Sequence, residues 1–204
     1  MIYDLAILGL RPNTLGPVMA RLPETVPASA ANGKLLGCFM CEFGVLNRVA
    51  VLTAYEDIKA MHEDRRGISG SDNAYGIAEY LGSFERGAYQ KLPFMTDFEA
   101  GSYGPFYEIR TYGIGPGGLG VTSEAWSKVV PRRRELSPLL MVMSSIEPGA
   151  TRMVHIWPYK TLDERTAARA AASKEGIWPP PGGSDHITSL QSELFVAMKF
   201  SPLQ

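Results

Sequence analysis

The sequence contains an internal repeat with a constant offset of 107 − 3 = 104 residues, measured between Tyr3 and Tyr107. Ile2-Tyr3-Asp4-Leu5 is echoed by Phe106-Tyr107-Glu108-Ile109. Further residues match in the same register: Pro12 with Pro116, Val26-Pro27 with Val130-Pro131, Leu35-Leu36 with Leu139-Leu140, Arg48 with Arg152, Tyr55 with Tyr159 and Arg65 with Arg169. Because chance matches do not keep one register across half a chain, we predict two copies of one small unit.

Each copy is predicted to contain a strand, a helix, two strands, a helix and a final strand. The predicted strands are residues 2–10, 34–43, 46–54 and 86–94 in the first copy and 106–112, 139–146, 152–157 and 192–200 in the second. This order is the ferredoxin-like plan, in which both helices cover one face of a four-stranded sheet. The free faces of two such sheets can pack together. We therefore predict an α+β fold of two tandem ferredoxin-like units, at residues 1–96 and 105–204.

Prolines and capping residues indicate how the helices begin and end. The first helix, within residues 13–31, is predicted to be broken by Pro17, Pro23 and Pro27, because proline lacks the amide donor. Pro131 is predicted to kink or end the matching helix of the second copy. Asp57 is a candidate cap for a helix reaching residue 66. Thr161-Leu162-Asp163-Glu164 is a capping box.

Composition and charge exclude several classes of partner. The formal net charge is −1 and 20% of the 204 residues are charged, so no basic field is available to bind nucleic acid. The first residues lack a basic segment typical of a secretory signal, and no apolar run is long enough to span a bilayer. We expect a soluble cytoplasmic protein without nucleic-acid or membrane partners, and homo-oligomer formation is left open.

The two cysteines, Cys38 and Cys41, have the spacing of a redox pair. They lie in a predicted strand, where residues three apart point to opposite faces. Their thiols therefore should not meet, and we expect two free buried or half-buried thiols.

Several ordered motifs resemble the NIPSNAP family. They comprise Tyr107-Glu108-Ile109-Arg110-Thr111-Tyr112, Pro116-Gly117, Arg152, His155-Ile156-Trp157-Pro158-Tyr159, Leu162, Glu164-Arg165, Arg169 and Trp178. The resemblance covers essentially the whole second copy and, more faintly, the first. It implies a dimeric α+β barrel, here formed within one chain from its two halves. Relatives in that superfamily include monooxygenases and muconolactone isomerases, whereas NIPSNAP proteins themselves have no agreed activity, and eukaryotic members are associated with mitochondria and vesicle or autophagy partners.

The two copies differ where the family motif is polar or aromatic. The first copy has Ala6, Val51 and Thr53 at the positions of Arg110, His155 and Trp157. We therefore expect an asymmetric site, mostly in the second copy.

The predicted site combines five residues of the second copy. His155 is the candidate acid or base, Arg110 the anion partner, Tyr107 and Trp157 the walls, and Trp178 the loop residue that closes the pocket. The alternative for His155 is a hydrogen-bonded structural histidine, which we favour.

Other chemistry is less well supported by the sequence. No metal site is predicted, because the three histidines are scattered. No cofactor is predicted; the alternative is haem with His155 as axial ligand among Met153, Trp157 and Trp178. Arg165 and Arg169 share a helix face, where they could bind an anion or simply pair with Glu108, Asp163 or Glu164. The Arg132-Arg133-Arg134 run is interpreted as a complement to the helix dipole.

Two classes of function remain after these exclusions. The first is a protein that binds a small apolar or aromatic acid in the barrel, with or without monooxygenase- or isomerase-like chemistry. It predicts a deep pocket with convergent polar groups. The second is a non-catalytic scaffold whose surface is an exposed sheet edge or apolar patch. It predicts a core filled by methionine and aromatic side chains.

Overall fold

The computed structural model describes residues 1–204, and each half contributes four strands and two helices in the predicted order. The first half comprises β1 (Ile2–Leu10), α1 (Leu15–Ala28), β2 (Lys34–Phe43), β3 (Arg48–Tyr55), α2 (Ile58–Ser69) and β4 (Leu81–Lys91), with 3₁₀ turns at 74–76 and 78–80. The second half comprises β5 (Phe106–Ile114), α3 (Gly118–Leu136), β6 (Met141–Ser145), β7 (Thr151–Tyr159), α4 (Leu162–Lys174) and β8 (Ile187–Ala197).

The eight strands form one closed antiparallel barrel in the order β1-β3-β2-β8-β5-β7-β6-β4. The two halves are joined where β2 pairs with β8 and where β4 pairs with β6. All four helices lie outside the barrel, because each helix must bury its apolar face against a sheet. This arrangement confirms the α+β prediction and the intramolecular dimeric α+β barrel that the family resemblance implied.

The interior of the barrel is a filled apolar core. Met141 and Met143 are completely buried there, and the rings of Phe39 and Tyr107 lie 4.6 Å apart between centroids. Alternation along the strands sends every second side chain into this interior. The interior therefore has the methionine and aromatic filling that the scaffold hypothesis predicted.

Two further apolar layers lie between the barrel and its helices. In the first half, α1 buries Val18, Leu22 and Val26 against the sheet. In the second half, α3 buries Trp126 and Val130 in the equivalent place. The predicted site residues fall mainly in this second outer layer.

The prediction that proline breaks the first helix is wrong. α1 is continuous from Leu15 to Ala28 with Pro23 and Pro27 inside it. Pro17 lies in the first turn, where a missing amide costs no helical hydrogen bond. α3 likewise continues past Pro131 to Leu136. Burial of one apolar face thus outweighs the hydrogen bonds that the prolines remove.

The predicted caps are confirmed. Asp57 accepts a hydrogen bond from the Ala60 amide at 2.9 Å, and Thr161 accepts one from the Glu164 amide at 3.1 Å. The last strand of each half begins about five residues earlier than predicted, at Leu81 and Ile187. Both extensions are mostly exposed and polar, so they lack the apolar alternation on which the prediction relied.

The two cysteines are free and buried on opposite faces of β2, as predicted. Cys38 packs in the layer beneath the helices and Cys41 packs in the barrel interior. No group of histidine, cysteine, aspartate and glutamate residues is arranged to hold a metal ion. None of the four helices has the length and apolarity required to cross a bilayer.

Candidate functional site

The structure brings together four of the five predicted site residues and separates the fifth. Arg110 on β5 lies opposite His155 on β7, and both point outward toward α3 and α4. Trp157 shares this outer face with His155. Tyr107 lies on the other face, in the barrel interior against Phe39. Strand alternation already places residues 107 and 110 on opposite faces, so one site cannot contain both side chains.

His155 is completely buried. Its Nδ1 accepts a hydrogen bond from the Trp157 indole Nε1 at 2.6 Å, so the ring is neutral with its proton on Nε2. Burial, followed by the charges of Arg110 and Arg169, holds the pKa of His155 well below its usual value. The imidazole therefore serves first as the acceptor that fixes the orientation of Trp157.

All three tryptophans of the chain form one cluster. The Trp178 ring lies 4.7 Å from Trp126 and 5.3 Å from Trp157 between centroids, edge to face in both pairs. His155 packs against Trp126 at 4.8 Å. Such edge-to-face contacts add to the stabilisation from burial alone. The loop after α4 is thereby fixed on the outer face of the barrel through Trp178.

A cavity of about 310 Å³ lies beside this cluster. Two arginines and an aromatic wall dominate its lining: Arg110, Arg169, Tyr112, Trp126, Trp178, Pro179, Pro180, Gly183, Ser184, Ile187 and Leu190. No acidic side chain contributes to it. Of the predicted residues, Arg110 and Trp178 line the cavity, whereas His155 and Trp157 lie behind the wall that Tyr112 and Trp126 form.

The charges around the cavity are unequally paired. Glu108, which is almost fully buried, accepts hydrogen bonds from Arg165 at 2.7 and 3.0 Å and from Ser192 at 2.7 Å. Burial opposes its ionisation, but these hydrogen bonds outweigh burial and hold its pKa below the usual value. Arg110 lies 3.5 Å from the same carboxylate, and its Nε has no hydrogen-bond partner.

The predicted ion pair of α4 is therefore confirmed for Arg165 and absent for Arg169. Arg165 and Glu108 form a bidentate pair, the strongest geometry available to these groups. Arg169, one turn farther along α4, forms no salt bridge. Since one carboxylate, Glu108, lies among the three arginines Arg110, Arg165 and Arg169, positive charge is in excess beside the cavity.

Arg133 lies in the last turn of α3, where the helix-dipole interpretation placed it, but its side chain is buried rather than exposed. Its side chain is 2% exposed, and its guanidinium carbon lies 4.4 Å from the Trp157 ring centroid. It donates a hydrogen bond to Ser137 Oγ at 2.6 Å, and burial lowers its pKa. The buried spacing of Trp126, Val130 and Arg133 on α3 is the sequence signal that could have identified it.

Haem does not fit against His155 in this packing. The rings of Tyr112, Trp126 and Trp157 lie 4.6, 4.8 and 6.0 Å from the His155 ring between centroids. An axial ligand needs an open side on which the macrocycle can lie. These three rings occupy that space, so no step is assigned to haem.

Comparison of this chain with known protein families agrees with this architecture. The family model described as NIPSNAP matches residues 3–76 and 107–202, which is more than half of the chain. The chain belongs to the NIPSNAP family. The resemblance drawn from the second copy is thus confirmed, and the match extends through both copies.

Relatives and solved structures locate the chain within this family and fold. A NipSnap homologue of Dictyostelium discoideum is 22% identical over 201 residues, covering 97% of this chain and 88% of that protein. A NipSnap protein of Caenorhabditis elegans is 23% identical over 186 residues, and the match spans 34% of that longer protein. A monooxygenase-like protein from Lactobacillus acidophilus has a TM-score of 0.67 at 12% identity, with 96% and 93% of the two chains covered. At that identity the likeness establishes the dimeric α+β barrel fold alone.

Proposed function

We propose that this NIPSNAP protein binds a small aromatic or apolar acid in the cavity between β5, β8, α3 and the loop after α4. The observation that carries the proposal is the pair of arginines, Arg110 and Arg169, which face an aromatic-walled cavity without an acidic lining residue. Because side chains fill the barrel interior, we propose the outer face as the binding surface.

The chemistry of the lining defines the ligand in two parts. Arginine presents a planar fork of donors that matches a carboxylate, and Arg169 lines the cavity without an acidic partner of its own. The rings of Trp126 and Trp178 offer flat apolar surface to the rest of the molecule. A volume near 310 Å³ is at the lower end for ligand cavities, which are about 300–1,000 Å³. The ligand is therefore small, with one acidic group and a planar apolar body.

The proposal is limited to binding. His155, the predicted acid or base, is separated from the cavity by Tyr112 and Trp126 and accepts the Trp157 N–H. General acid–base catalysis requires the catalytic group within hydrogen-bond reach of the proton that it moves. Monooxygenase- or isomerase-like chemistry on the bound acid stays a prediction, and so does a catalytic role for His155.

The decisive experiment is a titration of the protein with benzoate, salicylate and 2-naphthoate, each paired with its neutral carboxamide. Because Trp126 and Trp178 line the cavity and Trp157 packs against Trp178, intrinsic fluorescence reports occupancy. The acids are expected to bind and the amides to bind at least tenfold more weakly, since a hydrogen bond to a charged group contributes about 1.5–3 kcal/mol. Equal affinity for acids and amides, or no binding of either, contradicts the proposal.

A variant assigns the binding to this cavity. Arg169→Gln keeps a polar side chain without the charge and is expected to weaken binding of the acids about tenfold or more. Arg134→Gln is the matched control, because Arg134 is exposed and hydrogen-bonded to Thr96 rather than directed at the cavity. An equal loss of affinity in both variants would indicate a non-specific charge effect.

A further inference from the structure

The buried guanidinium of Arg133 has no carboxylate partner. Its single hydrogen bond goes from Nη1 to Ser137 Oγ, and its Nε has no hydrogen-bond partner. The Trp157 ring on its other side attracts a cation but carries no negative charge. A buried charge without a counter-ion is costly, and buried charges in proteins are usually paired. Arg133 therefore lacks an anion that its surroundings call for.

A cavity of about 450 Å³ lies on the far side of the groups that contact this guanidinium. It is formed by the end of α3, the end of β7 and one face of α4, with these lining residues: Tyr103, Leu136, Ser137, Pro138, Pro158, Tyr159, Lys160, Glu164, Ala167, Ala168 and Ala171. Ser137 and Tyr159 both line the cavity and both adjoin the Arg133 guanidinium. The cation thus stands directly behind the cavity wall. No residue lines both this cavity and the one beside Trp126.

The first copy has a carboxylate at the position that faces Arg133. At the offset of 104, Arg133 corresponds to Ser29 and Ala168 to Asp64. Ser29 and Asp64 line one cavity in the first copy, so these two positions face each other across the helix pair. Asp64 is buried and accepts hydrogen bonds from the amide and side chain of Asn32 at 3.1 and 2.6 Å. The second copy has gained the cation and has a methyl group where the carboxylate would lie.

The polar end of the cavity offers hydrogen-bond donors. Ser137 Oγ accepts from the guanidinium, so its own proton is free to be donated to another group. Tyr159 supplies a second hydroxyl, and Lys160 adds a positive charge at the exposed rim. The one acidic lining residue, Glu164, accepts the Lys160 amide at 3.0 Å. This end of the cavity is therefore suited to an anionic acceptor.

The rest of the lining is apolar and mostly saturated. Three alanines of α4 form one wall, at positions 167, 168 and 171, and Leu136, Pro138 and Pro158 form the other. No tryptophan lines this cavity, in contrast to the cavity beside Trp126. Small saturated side chains suit an aliphatic chain, and the volume lies within the range of about 300–1,000 Å³ that is usual for ligand cavities.

We propose that this cavity binds a small aliphatic carboxylic acid, whose carboxylate takes the place that Asp64 occupies in the first copy. The hydroxyls of Ser137 and Tyr159 donate to the carboxylate, and Arg133 supplies the positive charge behind them. The site is separate from the proposed aromatic-acid site, since the neighbouring α4 residues Ala168 and Arg169 line different cavities.

The first test is calorimetric titration with hexanoate and with its neutral amide, hexanamide. The titrations use the Arg169→Gln protein, so that the cavity beside Trp126 loses its acid-binding charge and the outcome does not depend on that site. One hexanoate is expected to bind per chain, at least tenfold more tightly than hexanamide. Arg133→Met, which replaces a buried charge with an apolar chain of similar length, is expected to abolish the preference. Equal affinity for acid and amide overturns the proposal, and so does a preference that Arg133→Met leaves unchanged.

The second test restores the carboxylate of the first copy. Ala168→Asp is expected to pair with Arg133, to raise the urea midpoint of the ligand-free protein and to weaken hexanoate binding at least tenfold. Ala170→Asp is the matched control, because this residue is exposed on the same helix and does not line the cavity. It is expected to leave hexanoate binding unchanged and not to raise the midpoint. A lower urea midpoint for Ala168→Asp, or an equal loss of binding in both variants, contradicts the proposal.

Discussion

The two outer faces of the barrel differ in how many carboxylates their buried arginines have as partners. Beneath α2, Asp4 lies 2.9 Å from Arg65 and 3.3 Å from Arg86, and Glu147 also pairs with Arg65. Two buried cations thus meet two carboxylates, and Arg86 also donates a hydrogen bond to the Tyr75 hydroxyl at 3.1 Å. The charges on this face are balanced, with Asp4 supplied by the first copy and Glu147 by the second.

Beneath α4, one carboxylate meets three arginines. Glu108 pairs with Arg165, contacts Arg110 at 3.5 Å and leaves Arg169 without an acidic partner. A cavity occupies the space beside them. The two copies thus share a backbone plan but differ in charge: the first has as many carboxylates as arginines on this face, whereas the second has an excess of positive charge beside the cavity.

The largest expected effect follows from removing a carboxylate from the charge-balanced face beneath α2. Asp4→Ala removes the carboxylate shared by two buried arginines and is expected to lower the free energy of unfolding by about 3–5 kcal/mol, because a buried charge is left unpaired. Urea unfolding measures the change. Glu124→Ala, which breaks an exposed pair with Lys128, serves as the control and should cost less than about 1 kcal/mol. Similar losses in both variants would mean that burial does not distinguish these pairs.

The next effect concerns the face beneath α4, where positive charge is in excess. Arg110→Ala inserts the residue that the first copy has at this position, Ala6. It is expected to weaken binding of aromatic acids by about 1.5–3 kcal/mol. Because Glu108 keeps its bidentate contact with Arg165, the free energy of unfolding in urea should change far less than it does for Asp4→Ala. A large loss of stability with unchanged affinity would reverse the roles assigned to the two faces.

A smaller effect concerns the pH dependence of stability. The pKa of His155 in the folded protein lies well below its usual value of about 6.5, so the unfolded chain binds a proton that the folded chain does not. Stability should therefore fall as pH decreases from 6.5 toward the folded pKa, with a slope of at most about 1.4 kcal/mol per pH unit. His155→Val, with the residue found at Val51, should lack this slope in urea titrations between pH 5 and 7. His62 and His186 are exposed and serve as the common background.

The smallest expected effect is that the two cysteine thiols do not react in the folded protein. Burial raises the pKa of Cys38 to about 12 and, together with Glu193, that of Cys41 to about 11. Neither thiol should react with a disulfide reagent at pH 8 in the folded protein, since the thiolate is the nucleophile. Both should react once urea unfolds the chain, which provides a probe of the first copy alone. Rapid modification of the native protein would show that β2 opens locally.

Local signals in the sequence were sufficient to predict the helices, the strands and their caps. They failed where contacts with residues distant in the sequence determine the structure. The caps at Asp57 and Thr161 depend on side chains within three residues and were predicted correctly. The break expected in α1 was wrong, because the sheet that buries Val18 and Leu22 is remote in sequence. Tyr107 was grouped with Arg110 although strand alternation opposes it. The burial of Arg133 was not predicted, because its aromatic neighbours lie 24 and 45 positions away, at Trp157 and Trp178.

The sequence by itself determined the duplicated ferredoxin-like plan, the family and the asymmetry between Ala6, Val51, Thr53 and their counterparts in the second copy. Hydrophobic periodicity and motif spacing are local properties of the sequence, and the repeat at an offset of 104 residues shows the same pattern in both copies. Only the tertiary structure decided that Arg165 engages Glu108, that Glu147 of the second copy reaches Arg65 of the first, and that the cavity lies outside the barrel. Those outcomes depend on contacts between residues far apart in the chain, and packing rather than local pattern selects among them.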